Sequence, residues 1–243
     1  MFLGVLFLSP FTLHPSPVSG AVPLPGSSYT EGLTWQGHAS FRLVRGGVVI
    51  YFDPWQLDGE PHDADLVLIT HPHFDHLSAA DVAKVAKGNT EVVTVAGARA
   101  KLEQARVPGK IHLVKPGDVL MLKNVRIEAV PAYNTNKVFH LKENGWVGFI
   151  VEIGGVRIYD AGDTDFIPEM KGFKADVALL PVSGTYVMTA EEAAQAAKAM
   201  PAVKVVIPMH YGSIVGTAAD AKRFEKLCGE KVVEILKKGG SGQ

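Results

Sequence analysis

One stretch constrains this chain more than any other. His71-Pro72-His73-Phe74-Asp75-His76 follows the apolar run Leu66-Val67-Leu68-Ile69 and Thr70, and it leads into Leu77 and Ser78-Ala79-Ala80-Asp81. The apolar run reads as a buried strand. The Ser-x-x-Asp pattern reads as a helix cap, which predicts a helix over 78–87. A strand–turn–helix junction is where α/β proteins tend to carry their sites. Imidazole nitrogen and carboxylate oxygen are the donors that borderline divalent cations such as zinc prefer. If His71 and His73 continue the strand, their side chains leave on one face. A turn near Asp75 then swings Asp75 and His76 to a neighbouring point, so that one segment serves two cations roughly 3.5–4 Å apart. The bland alternative is an accidental surface cluster of histidines.

The rest of the composition narrows the donors. There is one cysteine, Cys228, so neither an intrachain disulfide nor a thiolate-rich metal site can form. It sits at the end of an apolar-periodic segment and reads as buried. The formal net charge of −1 leaves no overall electrostatic footprint for nucleic acid, so a basic face would have to be local. At 243 residues and 47% hydrophobic content the chain suffices for one large domain or two small ones. Residues 1–29 are read as an extension outside the core, the proline-rich part flexible; an export signal and an upstream-start artefact both stay open. The apolar run in it is too short to span a bilayer. Residues 30–238 form the expected domain, and 239–243 a disordered tail. Export follows if residues 1–21 act as a signal.

Period-two patterning and turn residues predict strands over 33–35, 41–44 and 48–52, the last two joined through Arg45-Gly46-Gly47. Further strands are predicted over 66–69, 92–95, 111–114, 119–122 and 125–130, with a helix over 97–106. In the second half, 146–153 and 156–160 make a hairpin through Gly154-Gly155, and strands are predicted over 177–180 and 203–207. Helices are predicted over 189–200 and 218–227, with a closing strand or helix turn over 231–236. Trp146 and Phe149 alternate along their strand and read as core rather than as a platform. Antiparallel hairpins early in each half argue against a simple doubly wound sheet, and two mixed sheets packed face to face with helices outside fit better.

Two later residues stand where further ligands would be expected. Asp163 follows a strand in Asp160-Ala161-Gly162-Asp163-Thr164, and His210 follows another in Pro208-Met209-His210-Tyr211-Gly212. Each has a plain alternative, a helix cap for Asp163 and a structural histidine for His210. His112 lies inside a predicted strand and reads as structural.

The His-x-His-x-Asp-His signature resembles that of the metallo-β-lactamase superfamily. Gly37-His38-Ala39-Ser40-Phe41, Asp53-Pro54-Trp55, Ala161-Gly162-Asp163-Thr164, Leu179-Leu180-Pro181-Val182 and Pro208-Met209-His210-Tyr211-Gly212 extend the likeness over about residues 32–236. Together they resemble the small single-domain hydrolases grouped with ascorbate-phosphate lactonase. The resemblance implies an α/β fold, a four-layer αβ/βα sandwich with a metal site at one edge between the sheets. It implies a first site of His71, His73 and His140, a second of Asp75, His76 and His210, and Asp163 bridging them. Some short relatives carry the third histidine directly after a Pro-Ala-aromatic strand end, where this chain has Asn134, so His140 has to reach in from the loop after it. Asp53 would hold a ligand imidazole in its tautomer, the alternative being a simple Asp-Pro turn. His38 would line the pocket as acid or substrate contact. In the loop after 177–180, Ser183, Thr185 and Tyr186 would face substrate, or merely tighten the turn.

The implied activity is a dinuclear metal-dependent hydrolase, with two divalent metal ions, zinc or else manganese or iron. A water shared by the two cations ionises near neutrality and the hydroxide attacks an ester, lactone or phosphoester bond of a small molecule. Asp75 would orient it or carry its proton. The redox diiron branch typically has glutamate at the second histidine, so His73 favours hydrolysis. The rivals are a nuclease or phosphodiesterase of the same fold, which would want a basic groove, and a non-catalytic metal-stabilised binding protein. Assembly into a homo-oligomer stays open, and the resemblance implies cytoplasmic residence, with export as the alternative if residues 1–21 act as a signal.

Overall fold

A computed structural model describes residues 29–239. The expected N-terminal extension and C-terminal tail fall almost wholly outside the described residues. Two sheets carry the fold. The first runs β1 (Leu33–Gly37), β2 (Ser40–Arg45), β3 (Val48–Phe52), β4 (Ala64–Leu68), β5 (Ala86–Thr94) and β6 (Lys110–Leu113), in that spatial order. The second is formed by β7 (Val119–Leu122), β8 (Val125–Pro131), β9 (Val147–Ile153), β10 (Val156–Asp160), β11 (Val177–Pro181), β12 (Val205–Met209) and β13 (Val232–Val233), again in sequential order across the sheet.

Both sheets change character part-way. β1, β2 and β3 are antiparallel, whereas β3 to β6 are parallel. Likewise β7 to β10 are antiparallel and β10 to β13 parallel. Parallel strands need crossovers that cover them on the outside, and so they are buried on both faces. Accordingly β11 and β12 are buried at every position. Helices α1 (Ala79–Val85) and α2 (Arg99–Gln104) lie in the first half, and α3 (Ala190–Ala199) and α4 (Ala218–Leu227) in the second. α3 and α4 pack on β11, on β12 and on one another, and α1 packs against β5. One apolar core joins the halves, with Phe41, Phe52, Phe149 and Tyr159 fully buried. The result is the four-layer sandwich.

Several boundaries differ from expectation for local reasons. α1 ends at Val85, not Lys87, and the chain enters β5 at once through Ala86 in extended conformation. Gly88 and Asn89 favour neither helix nor strand. Thr90 Oγ1 decides the matter by accepting from Lys87 N (2.8 Å) and donating to Ala64 O (2.6 Å), which pins the segment to β4. Of the expected closing element only Val232–Val233 pairs with β12. The helix caps follow the sequence: Thr189 with Glu192 and Thr217 with Asp220 both form full capping boxes.

Every parallel strand that matters to the site ends at the same edge. Asp53 follows β3, the histidine motif follows β4, Asp163 follows β10 and His210 follows β12. Backbone bonds close the two sheets there: His210 N donates to His38 O (2.9 Å) and Val147 N to Thr70 O (3.3 Å).

Candidate metal centre

Six of the nine histidines and three aspartates meet at this edge. The donor atoms form two groups, each lying within 4.8 Å: His71, His73, His140 and Asp163 in one, His38, Asp75, His76 and His210 in the other. In the first, His73 Nδ1 is 3.1 Å from His71 Nε2 and 3.2 Å from His140 Nε2. Asp163 Oδ2 is 3.1 Å from His140 Nε2 and 3.8 Å from His71 Nε2. Asp163 also reaches the second group, with Oδ1 3.2 Å from His76 Nε2 and Oδ2 3.2 Å from His210 Nε2. Asp75 Oδ2 lies 3.7 Å from His76 Nε2, 3.8 Å from His210 Nε2 and 3.1 Å from His38 Nε2.

The far side of four of these rings is hydrogen-bonded. His76 Nδ1–H donates to Asp53 Oδ2 (2.6 Å), which turns Nε2 toward the centre. Asp53 also takes the backbone N–H of Thr70 (2.8 Å) and its hydroxyl (2.6 Å). With its proton committed, Thr70 Oγ1 accepts from His71 Nδ1 (3.0 Å), which frees His71 Nε2. His140 Nδ1–H donates to the Tyr186 carbonyl (3.1 Å), and His210 Nδ1 pairs with Ser183 Oγ (3.0 Å). A ligand imidazole held in this way is the pattern of metal sites in general.

Backbone strain gathers here as well. Nine non-glycine residues among those described have φ in the left-handed region, and His38, Asp53, His140 and His210 are four of them. Each such residue costs on the order of 1 kcal/mol. Strain of that kind concentrates at functional sites. Gly162, at φ +60°, makes the turn that delivers Asp163, and a side chain there would press on Thr70 and Val147 O at 3.1 Å.

Electrostatics follow from burial and from the crowd of imidazoles. Burial pushes Asp163 up, but His210, His76 and the hydrogen bond from His140 hold it well below the usual carboxylate range. Burial also lowers His71, His73 and His38, which favours their neutral forms. His76 goes the other way: against burial, Asp163 and Asp53 hold it well above the ordinary imidazole value. Asp75 is depressed, with burial outweighed by the hydrogen bond from His38 and by His76.

All of the expected ligands therefore come together, His140 included, and Asn134 has a part beside it. The Asn134 side-chain amide donates to the carbonyls of Phe139 (2.9 Å) and Tyr186 (2.7 Å), and its backbone N–H donates to His140 O (2.7 Å). It shapes the loop that turns His140 inward. Of the expected substrate loop, Tyr186 lines the cavity at the donor atoms, Ser183 is occupied with His210, and Thr185 is exposed outside that lining. Trp146 is a correction. Phe149 is buried in the core, but Trp146 is half-buried and lies against the rings of His71 (4.8 Å), His73 (4.8 Å) and His140 (5.4 Å). It precedes β9, so strand alternation does not govern where it points. Sequence reasoning also missed Thr70 and Asp160. Thr70 had one signal, its place directly before the motif. Asp160 is fully buried, and burial together with Asp53 holds it well above the carboxylate range. His112 pairs with Glu91 (2.6 Å) on the neighbouring strand, away from the site.

The profile of the β-lactamase superfamily domain matches residues 32–210. A UPF0173 metal-dependent hydrolase of Pyrococcus furiosus is 35% identical over 224 residues, covering 86% of this chain and 97% of its own. The chain belongs to the metallo-β-lactamase superfamily, among its UPF0173 metal-dependent hydrolases. Solved structures agree on the fold of this superfamily member. A protein of Parabacteroides distasonis superposes with a TM-score of 0.72 at 33% identity, covering 84% of this chain and 93% of its own. Igni18, a metallo hydrolase of Ignicoccus hospitalis, does so with a TM-score of 0.70 at 26% identity, with 86% and 96% covered. No helix among the described residues is long and apolar enough to cross a membrane.

Proposed function

We propose that this metal-dependent hydrolase works with two divalent cations, zinc by preference, on an ester, lactone or phosphoester bond of a small molecule. His71, His73 and His140 would hold the first, Asp75, His76 and His210 the second, and Asp163 both. The observation that carries this is the spacing of the donors. Bonds of 2.0–2.1 Å to zinc in tetrahedral arrangement put neighbouring ligand atoms about 3.3 Å apart. The first group has separations of 3.1, 3.2, 3.1 and 3.8 Å. A single imidazole–carboxylate pair at that distance is a hydrogen bond, but three imidazole nitrogens and one carboxylate oxygen converging on a common point is the arrangement a shared cation would hold. His76 Nε2, His210 Nε2 and Asp163 Oδ1 are moreover buried with no hydrogen-bond partner, which is costly unless something polar or charged meets them.

Such a cation pair supplies an ionised water near neutral pH and polarises the bond under attack. The chain supplies the rest. Asp75, ionised and facing the centre, orients the attacking water and can take its proton. His38 Nε2–H donates to Asp75 Oδ2, which orients that carboxylate and keeps the ring beside it as the acid or substrate contact. Asp53 and Thr70 keep His71 and His76 in register.

Elemental analysis tests the assignment. Wild type should hold two metals per chain, and His140→Ala should fall toward one. An unchanged count would remove His140 from the site. Asn134→His, a second imidazole where some short relatives carry theirs, should leave the count at two. Metal-loaded protein that cleaves nothing in a panel of esters, lactones and phosphodiesters would leave the metal-stabilised binding protein as the reading.

A further inference from the structure

The cavity at the donor atoms has a volume of about 260 Å³ and a definite chemistry. Its lining comprises the metal-site residues His73, Asp75, His140, Asp163 and His210, and beyond them only Phe74, Phe139, Tyr186 and Ile214. We infer that the group carried next to the scissile bond is apolar and uncharged, so that the substrate is an alkyl or aryl ester or lactone rather than a phosphorylated sugar or a nucleic acid. The inference rests on the hydrolase reading and narrows it.

Three observations support it. First, large apolar side chains left in water are gathered here. Phe74 is 62% exposed, Phe139 44% and Ile214 41%, and Val138 and Leu141 flank Phe139 on the same loop; these five are half of the exposed large hydrophobics among the described residues. They come from three separate loops, after β4, between β8 and β9, and after β12. Scattered exposed apolar residues mean little, but a patch facing a cleft marks a binding surface. The Phe139 and Tyr186 rings are 4.9 Å apart edge to face, which stiffens one wall.

Second, no lysine or arginine is in that lining. The two lysines of the adjacent loop are engaged elsewhere, Lys137 with Asp165 and Lys142 with Glu169. A phosphate away from the scissile bond would lose water with no fixed cation to replace it. Third, outside the metal donors Tyr186 is the single polar side chain of the lining. A sugar with several hydroxyls would leave most of them unpaired, which a polar-matched pocket would not do.

The reaction in question is plain hydrolysis. Water oxygen bonds to the acyl carbon, the acyl–oxygen bond breaks, and the alkoxide takes the proton, giving acid and alcohol. Binding strength should track the buried hydrocarbon, about two- to fourfold per methylene according to how much of it is covered. The experiment is kcat/KM for p-nitrophenyl esters from acetyl to hexanoyl on the zinc-loaded protein, beside bis(p-nitrophenyl) phosphate. From acetyl to hexanoyl the value should rise roughly 16- to 250-fold. Phe74→Ser, Phe139→Ser and Ile214→Ser combined should lower the hexanoyl value at least tenfold more than the acetyl value. Equal acetyl and hexanoyl values, or preference for the phosphodiester, would overturn the inference while leaving a hydrolase. Should no ester be cleaved, binding decides: hexan-1-ol should bind the zinc-loaded protein more tightly than ethanol, followed by tryptophan fluorescence, and lose that advantage in the triple variant. Indistinguishable binding of the two alcohols would overturn the inference.

Discussion

The two donor groups share Asp163 but are set differently in the molecule. In the second, His38, Asp75, His76 and His210 are all buried, at 8% exposure or less. His76 is anchored on the fully buried Asp53, and His210 on Ser183. In the first, His73 is only half-buried, and the contacts of its ring nitrogen are with the other histidines of the group. His140 comes from a loop whose shape depends on Asn134 and the Tyr186 carbonyl. One site is thus built into the sandwich and the other is assembled at its rim. The difference teaches that, on the proposed assignment, the second metal position is set by the sandwich itself, whereas the first depends on the loop that carries His140. Graded treatment with a chelator should accordingly remove one metal well before the other, and His140→Ala should mimic the early stage.

The sharpest break of this comparison is Asp163→Ala, which removes the carboxylate common to both groups. Metal content should fall below one per chain and kcat/KM by about 10³-fold or more. A variant that kept one tightly held metal would show that the groups are independent. Next in size is Asp53→Ala, which frees the His76 ring and the Thr70 hydroxyl behind His71. Loss of such a supporting group weakens metal binding about 10- to 100-fold, and calorimetric titration should place the larger loss in the second site. Equal losses in both would mean that Thr70 matters as much as His76.

The smallest effect lies behind the second site. Asp81 accepts from the backbone N–H groups of Gln56 (3.0 Å) and Leu57 (3.2 Å), and so ties the chain after Asp53 to α1. Asp81→Asn should cost about 1–3 kcal/mol of stability at pH 7. Burial raises the Asp81 carboxyl, but Lys84, Ser78 and those two amides leave it below its ordinary value. A group depressed in the folded state stabilises above its unfolded pKa, about 3.9. The gap between wild type and variant in urea melts should therefore be full near neutrality and close as the pH falls below about 4. A gap that persisted in acid would mean that the variant acts through packing.

How much could be read in advance follows from where each residue gets its meaning. His71, His73, Asp75 and His76 are legible because they are contiguous, and the strand before them and the helix cap after them fix how they project. Asp163 and His210 are legible as polar residues at strand ends that follow buried apolar runs. The alternation of β-hairpins and crossover helices was enough for two mixed sheets, though the four layers came with the family likeness. The supporting residues were harder to find. Thr70 matters only because Asp53, 17 residues earlier, sits beside it at the end of the neighbouring parallel strand. Ser183 meets His210 from the end of a neighbouring strand, 27 residues away. Trp146 lies just before its strand begins, so its ring turns to the histidines where strand periodicity assigned it to the core. Asp160 reads as one more strand end, and only the packing of β10 shows that it is sealed from water.

The most direct measurement is anomalous diffraction at the zinc edge from crystals of the zinc-loaded protein. Two peaks are expected, roughly 3.5–4 Å apart as in two-metal hydrolytic centres, with Asp163 between them, one beside His71, His73 and His140 and the other beside Asp75, His76 and His210. A single peak, or peaks not bridged by Asp163, would contradict the dinuclear centre.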